Sequence, residues 1–291
     1  AGTRFMRGWM TVFTMAITAL TVVIGHRIFL QTGLSPDKAL MMALLLALGT
    51  YAFPHGRTFF TEPLAGFCLM AAVALLSSVR NRNRAGFPWS YLAAGLFWAY
   101  AILTRLDSLV TLPAAAWFLF VHFDDGRWRC RIQPLRALAF FLPWAAVLGV
   151  VLGYNFFRFG SWVSTGYEDQ AEKIRFLTPL LVGLHGFLFS PGRSLFLYSP
   201  PLLFAVPGIQ PLWKQDRWLA GGLILLTAGY LGVMSKWQNW AGGYDWGPRH
   251  IYQITPFLMI FAAAWFKDRE LWDSPVKRVG GMVFVILALF V

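Results

Sequence analysis

The segment from Lys236 to His250 combines aromatic, acidic and basic side chains between two apolar runs. It reads KWQNWAGGYDWGPRH, and its glycines allow tight turns or a close approach of the backbone to a ligand. Pro248 favours a helix start, which places Arg249 in a first turn where free N–H groups and the helix dipole bind anions. The spacing predicts a phosphate site at Arg249. The alternative is an interfacial loop in which the tryptophans anchor the chain and Arg249 reaches lipid headgroups.

Two further arginines are candidates for the same anion. Arg193 follows a Pro-Gly turn in the stretch FSPGRSLFLYSPP, residues 189–201, and Arg57 lies in the polar break YAFPHGRTFFTEPL, residues 51–64. Arginine is preferred for bidentate contact with phosphate because its guanidinium is planar and permanently charged. For Arg193, a role in capping a loop or binding bulk lipid phosphate is the alternative.

Glu62 and Asp245 are the candidate catalytic carboxylates. Glu62 precedes Pro63 at the start of an apolar run, and a carboxylate at a membrane-embedded helix start is costly unless it is paired or used. Glu62 could bind a sugar hydroxyl, act as an acid or base, or cap the helix and pair with Arg57. Asp245 could equally be the ion-pair partner of Arg249.

The composition excludes a soluble protein. Of 291 residues, 57% are hydrophobic, 17% aromatic and 13% charged, and the apolar residues form blocks close to the length that spans a bilayer. The net charge of +12 is scattered between these blocks, so no nucleic-acid surface is predicted. Two cysteines make neither a disulfide framework nor a cysteine-rich metal site. No metal site is predicted, and a need for a divalent metal stays open.

We therefore predict an all-α integral membrane protein with about ten transmembrane helices. The segment 177–189 is apolar but short, and it is predicted to be a re-entrant or interfacial helix. Residues 89–121 are interrupted by Arg105 and Asp107, so they form either two short helices or one broken helix; that pair needs no functional explanation. The predicted spans are 9–25, 39–53, 63–79, 89–103, 108–121, 137–155, 200–212, 218–234, 251–266 and 279–291.

Residues 1–291 are expected to form a single transmembrane domain. The chain starts without Met and stops inside an apolar run, so we expect a fragment that lacks an N-terminal span, the first outer loop and the C-terminal end.

Positive charge orients the predicted spans. Alternate loops hold fifteen of the 25 Lys and Arg residues, which predicts that these loops are cytoplasmic. The candidate site residues then gather on the opposite, outer face.

The order of the motifs resembles the polytopic GT-C glycosyltransferases, specifically bacterial enzymes similar to the protein O-mannosyltransferase and aminoarabinose transferase group. The resemblance covers most of the chain. The motifs that carry it are RTFFTEPL (57–64), LTRL (103–106), YNFFRFGS (154–161) with TGY (165–167), SPGRSLFLYS (190–199) and WAGGYDWGPR (240–249).

The resemblance implies a GT-C-like fold in the bacterial cytoplasmic membrane, with an active face that is periplasmic or extracellular. It implies transfer of a sugar from a polyprenyl-phosphate carrier to an acceptor, with membrane lipid and the lipid-linked sugar as partners. Arg249 and Arg193 would neutralise the carrier phosphate. The family's main catalytic carboxylate would lie upstream of Ala1. Sugar or acceptor contacts are assigned to five side chains on the outer face: Tyr244, Trp246, His250, Tyr198 and His55, for which a structural role is the alternative.

Two other functions stay open. The chain could be a non-catalytic scaffold subunit with this fold and protein partners in a larger membrane complex. It could also be a transporter or flippase for a lipid-linked substrate, although we find none of the internal repeats that such proteins usually show.

Overall fold

The described part of the chain consists of helices joined by turns and longer loops, with one small hairpin. The computed structural model describes residues 2–80, 88–124, 126–164, 166, 176–243 and 245–267, and it gives the backbone alone for residues 2–7 and 124. Within these ranges the α-helices are α1 (Gly2–Gln31), α2 (Pro36–Leu48), α3 (Ala52–His55), α4 (Glu62–Val79), α5 (Trp89–Thr104), α6 (Leu112–Phe120), α7 (Pro134–Phe159), α8 (Leu180–Phe189), α9 (Ala205–Gln215), α10 (Arg217–Lys236) and α11 (Thr255–Phe266). Three 3-10 helices, Leu106–Thr111, Pro200–Phe204 and Arg249–Ile254, lead directly into α6, α9 and α11.

The helical membrane architecture predicted from composition is confirmed. Four helices in the described part of the chain are long and apolar enough to cross a membrane: Gly8–Gln31 of α1, α4, α7 and α10. The other predicted spans up to residue 266 also form helices, but each is shorter than this length. The tenth predicted span, 279–291, lies outside the described residues.

Residues 89–121 form two helical segments and not one broken helix. α5 ends at Thr104, Arg105 takes an extended conformation (φ −149°, ψ 116°), and the 3-10 helix begins at Leu106. A charged residue therefore stands at the join between two apolar helices, at one end of the bundle.

A two-stranded antiparallel hairpin follows α6, where the sequence predicted only a loop. β1 (Val121–Asp124) pairs with β2 (Arg127–Cys130), with Phe123 opposite Trp128 and His122 opposite Arg129. The order of residues in the hairpin follows the twofold alternation of a strand, so aromatic and basic side chains lie on opposite faces.

Polar contacts at the end of the bundle that carries the hairpin join segments distant in sequence. Arg80 pairs with Asp216 at 2.6 Å, and the neighbouring Gln215 donates from Nε2 to the carbonyl of Thr32 at 2.8 Å. The C-terminal ends of α1 and α4 therefore lie at the same level of the bundle. Because α1 has 30 residues and α4 has 18, α1 extends roughly 18 Å beyond the first residue of α4.

Close helix crossings depend on small residues, as is typical of membrane bundles. A Cβ atom at Gly95 of α5 would stand 2.0 Å from the carbonyl oxygen of Phe140 in α7. The same is true of Gly208 against Phe261, and of Gly183 in α8 against Ser235, each at 1.9 Å. α8 thus packs on the end of α10, while Leu181 on its outer face is 78% exposed; the prediction of a re-entrant or interfacial helix stays a prediction.

Candidate functional site

Glu62 is the centre of a charged cluster at the end of the bundle opposite the hairpin. It is the first residue of α4, followed by Pro63, and its side chain is only 2% exposed. Pro63 is compatible with this position because the N–H that proline lacks would have no helical partner there. The helix start also favours a negative charge, so local structure and burial together hold the Glu62 carboxylate in place.

Arg105 is the first partner of Glu62. Its Nη1 donates to Glu62 Oε1 at 2.5 Å, while Nε and Nη2 donate to the carboxylate of Asp107 at 2.9 Å and 2.5 Å. The extended backbone at Arg105 ends α5 and directs this residue toward the start of α4. The Arg105–Asp107 ion pair that the sequence permits is therefore confirmed, and it continues to Glu62.

Arg249 is the second partner of Glu62. Its Nε lies 3.2 Å from Glu62 Oε1, at an angle that makes no hydrogen bond, and its Nη1 lies 3.0 Å from Asp245 Oδ2. The guanidinium also stacks on the ring of Phe60, with 4.8 Å between the guanidinium carbon and the ring centroid. Arg249 is therefore held from three sides, yet 26% of its side chain is exposed. The Asp245–Arg249 pair is confirmed, and the alternative pairing of Glu62 with Arg57 is not observed.

The cluster contains three carboxylates and two guanidiniums. Glu62, Asp107 and Asp245 contribute three negative charges and Arg105 and Arg249 two positive charges, so the cluster carries one net negative charge when all five groups are ionised. The closest approaches of Arg249 to Glu62 and Asp245 are made by Nε and Nη1, and 26% of its side chain is exposed. A ligand oxygen can therefore approach the exposed part of this side chain.

His55 is buried beneath the cluster. It is 2% exposed, and its Nε2 lies 2.9 Å from the carbonyl oxygen of Trp246, so Nε2 carries the proton. Its Nδ1 has no hydrogen-bond partner in the described residues, and the ring contacts Tyr51, Phe60 and Tyr252. Burial lowers the pKa of His55. These contacts hold the loop that carries Trp246 against α3.

His250 also remains neutral at physiological pH. Burial, and then the positive charges of Arg105 and Arg249, lower its pKa to about 4, although Asp107 and Asp245 act in the opposite direction. Its buried Nε2 has no partner among the described residues. A neutral imidazole with an unpaired nitrogen beside Arg249 can accept or donate a hydrogen bond to a ligand.

Arg193 binds the backbone of the loop that carries Asp245. It donates to the backbone carbonyls of Gly243, Asp245 and Gly247, the last at 2.9 Å from Nη1. Gly247 has φ of +72°, a conformation that residues with a side chain rarely adopt. Arg193 therefore fixes the turn that presents Asp245 to Arg249, and its predicted contact with phosphate stays a prediction.

The remaining predicted residues lie around the cluster at different distances. Trp246 is 52% exposed and packs edge-on against Tyr198, with ring centroids 5.4 Å apart. Arg57 is exposed and stacks on Phe53 at 5.5 Å, away from Glu62. Tyr244 lies outside the described residues. The structure thus brings Glu62, Asp245, Arg249, His250, His55, Trp246, Tyr198 and Arg193 to one region.

Arg105 and Asp107 are the site residues that the sequence analysis left without a function. A signal was present, because an ionisable residue between two apolar helices is a functional candidate by default. The ion pair two residues apart explained both charges locally, so nothing indicated that Arg105 also reaches Glu62, 43 positions earlier.

No described group of three or more His, Cys, Asp or Glu side chains has the arrangement of a metal site. Comparison of the chain with family models, with characterised proteins and with solved structures gives no match.

Proposed function

We propose that this protein is a GT-C-like membrane glycosyltransferase that moves a sugar from a polyprenyl-phosphate carrier to an acceptor at the face of the membrane bearing Glu62. The observation that carries the proposal is the buried Glu62 carboxylate held between Arg105 and Arg249. In the proposed protein the shorter apolar helices also cross the membrane, which gives about ten spans. It lies in a bacterial cytoplasmic membrane with the site on the periplasmic or extracellular side.

The position of the cluster favours a lipid-linked substrate over a soluble one. α1 extends beyond the level of Glu62. The backbone of Gly56, the residue after α3, lies beside Thr18 of α1. A site that lies deeper in the bundle than the end of a spanning helix is within reach of a phosphate that is anchored in the bilayer. Arg249, a guanidinium side chain that is 26% exposed, is suited to that phosphate.

The proposed reaction is a displacement at the anomeric carbon. The bond from this carbon to the phosphate oxygen breaks, and the electron pair stays on the phosphate, where Arg249 and Arg105 stabilise the developing charge. The acceptor oxygen bonds to the anomeric carbon and gives its proton to a carboxylate. Asp245 is the better placed of the two candidates because its ion pair among the described residues is with Arg249 alone, whereas Oε1 of Glu62 faces both arginines. Trp246, Tyr198 and His250 would contact the sugar or the acceptor, and Arg57 would contact the carrier from the rim.

Binding of a polyprenyl phosphate tests the proposed phosphate site. The full-length protein in lipid nanodiscs would be titrated with a short-chain polyprenyl phosphate. Arg249→Gln would be compared with Arg82→Gln, a control that removes the same charge between α4 and α5 in the sequence. We expect Arg249→Gln to weaken binding by about tenfold to a hundredfold, because a hydrogen bond to a charged group contributes roughly 1.5–3 kcal/mol. Equal affinities of the two variants would disprove the phosphate site.

Turnover separates a transferase from a scaffold. Polyprenyl-phosphate donors with a labelled hexose or pentose would be mixed with the full-length protein and membrane extract, and release of the carrier phosphate would be measured. We expect release to be lost in Asp245→Asn, with polyprenyl-phosphate binding retained. Binding without release from any donor would instead support the scaffold function.

A further inference from the structure

The hairpin β1–β2 has an aromatic face and a basic face. Phe123 and Trp128 pack together at 4.7 Å between ring centroids, and Trp128 reaches Trp117 of α6 at 5.1 Å and Trp213 of α9 at 6.0 Å. The register places His122 opposite Arg129 on the other face. The hairpin is therefore attached to the ends of two helices through its tryptophan.

An open cavity of about 460 Å³ lies between the aromatic face and these helices. It is lined by Trp117, Val121, Trp128, Arg129, Cys130 and Trp213, so its walls are apolar except at Arg129. Ligand pockets of this size are common, and tryptophan is typical of the boundary between membrane and water. The cavity begins where α6 ends, which is where such a boundary is expected.

Basic side chains surround the cavity. Arg127 and Arg129 of β2, the following Arg131, and Lys214 and Arg217 beside Trp213 are all exposed. Arg217 stacks on Phe123, with its guanidinium carbon 4.5 Å from the ring centroid.

Acidic groups near the cavity only partly compensate this charge. Asp216 is engaged by Arg80 at 2.6 Å, and the hairpin sequence, residues 121–130, holds two aspartates against the five cations. The surroundings of the cavity are therefore positive, and an apolar ligand with a negative head is complementary to both features.

We propose that the hairpin and Trp213 form a binding site for an anionic phospholipid. The acyl chain enters the cavity beside Trp128, and the headgroup phosphate contacts Arg129 where this residue lines the cavity, while Arg127 adds to the positive charge. The site lies at the end of the bundle opposite Glu62, so it is independent of sugar transfer. Its lipid is a membrane component and not a substrate, and its function is to fix the hairpin against α6 and α9.

The test compares phosphatidylglycerol with phosphatidylcholine bound to the full-length protein, measured by native mass spectrometry after detergent exchange. The test variant is Arg127→Gln/Arg129→Gln. The matched control is Arg27→Gln/Arg136→Gln, which removes the same charge at the same end but away from the hairpin. We expect a phosphatidylglycerol affinity about tenfold to thirtyfold lower in the test variant, because each basic side chain near an anionic surface adds about fivefold.

A second variant, Trp213→Ala, examines the cavity without changing charge. We expect it to weaken both lipids, while the arginine variant weakens phosphatidylglycerol alone. The proposal is overturned if the wild-type protein holds the two lipids equally, or if test and control variants lose phosphatidylglycerol equally. It is also overturned if Trp213→Ala keeps the affinities and the thermal unfolding temperature of the wild-type protein.

Discussion

A single oxygen atom of Glu62 faces two guanidinium groups. Oε1 is 2.5 Å from Arg105 Nη1 and 3.2 Å from Arg249 Nε, and the carboxylate is almost completely buried. Such a group is stable only with its partners, because removing one member of a buried ion pair leaves an uncompensated charge. Here Asp107 and Asp245 would still partner the two arginines, which reduces the loss.

We therefore expect Glu62→Gln to lower the free energy of unfolding by about 2–3 kcal/mol, somewhat below the usual cost of breaking a buried pair. Urea or guanidinium unfolding of the protein in detergent measures this change. Asp216→Asn is the matched control, since its ion pair with Arg80 is more exposed and Asn retains the helix cap to Leu219. This control should cost less than about 1 kcal/mol. An equal cost for both variants would show that burial of Glu62 adds nothing.

His250 makes stability depend on pH. Its pKa is about 4 in the folded protein and about 6.5 in the unfolded chain, so the unfolded state binds more protons between these values. Stability should therefore be complete above pH 6.5 and fall as the pH drops toward 4. Thermal unfolding at pH 7.5 and 4.5 should show a smaller decrease for His250→Gln than for the wild-type protein. His185→Gln, which changes an exposed histidine of α8, should retain the wild-type decrease; if it does not, the assignment to His250 is wrong.

At the scale of elements, the crossing of α5 and α7 depends on Gly95. A methyl group there would overlap the carbonyl of Phe140, whereas a methyl group at Gly149, farther along α7, would meet no atom within 4 Å. Gly95→Ala should destabilise the protein by about 1–3 kcal/mol through overpacking. Gly149→Ala should be neutral, or stabilising by up to about 1 kcal/mol, because alanine favours the helix. Chemical unfolding of the two variants compares these values, and a neutral Gly95→Ala would mean that the helices cross elsewhere.

The hairpin β1–β2 is an element that was not predicted from the sequence. In residues 121–130, polar and apolar side chains alternate on both sides of an Asp-Gly dipeptide, which favours tight hairpin turns. The sequence is Val-His-Phe-Asp, Asp-Gly, Arg-Trp-Arg-Cys. The many charges in this stretch were explained by membrane orientation, and that explanation left the alternation without a role. The break at Arg105 was predicted correctly, because a charged residue between apolar runs interrupts a membrane helix wherever they pack.

At the scale of the whole molecule, composition was sufficient to predict a helical membrane protein, and the helix positions followed from apolar blocks. The number of spans stays a prediction, because α5 and α6 are apolar but shorter than the usual length of a membrane-spanning helix. The gathering of Glu62, Asp245 and Arg249 was also predicted, since alternate loops must lie at one end of a bundle. The partners in each ion pair were not predicted, because they depend on how α4 and α5 pack. Residues nearer in the sequence also offered alternative partners.

The sequence separation within the charged cluster also sets an order in time. Arg249 is made 187 residues after Glu62, whereas Arg105 follows after 43. At a synthesis rate of roughly 5–20 residues per second, Glu62 would wait about 10–40 s for Arg249 but only about 2–9 s for Arg105. Arg105 is therefore the first of the two arginines available to neutralise this carboxylate when α4 and α5 have been made. Asp245 and Arg249 are made last, so they can complete the cluster only after Glu62, Arg105 and Asp107 are present.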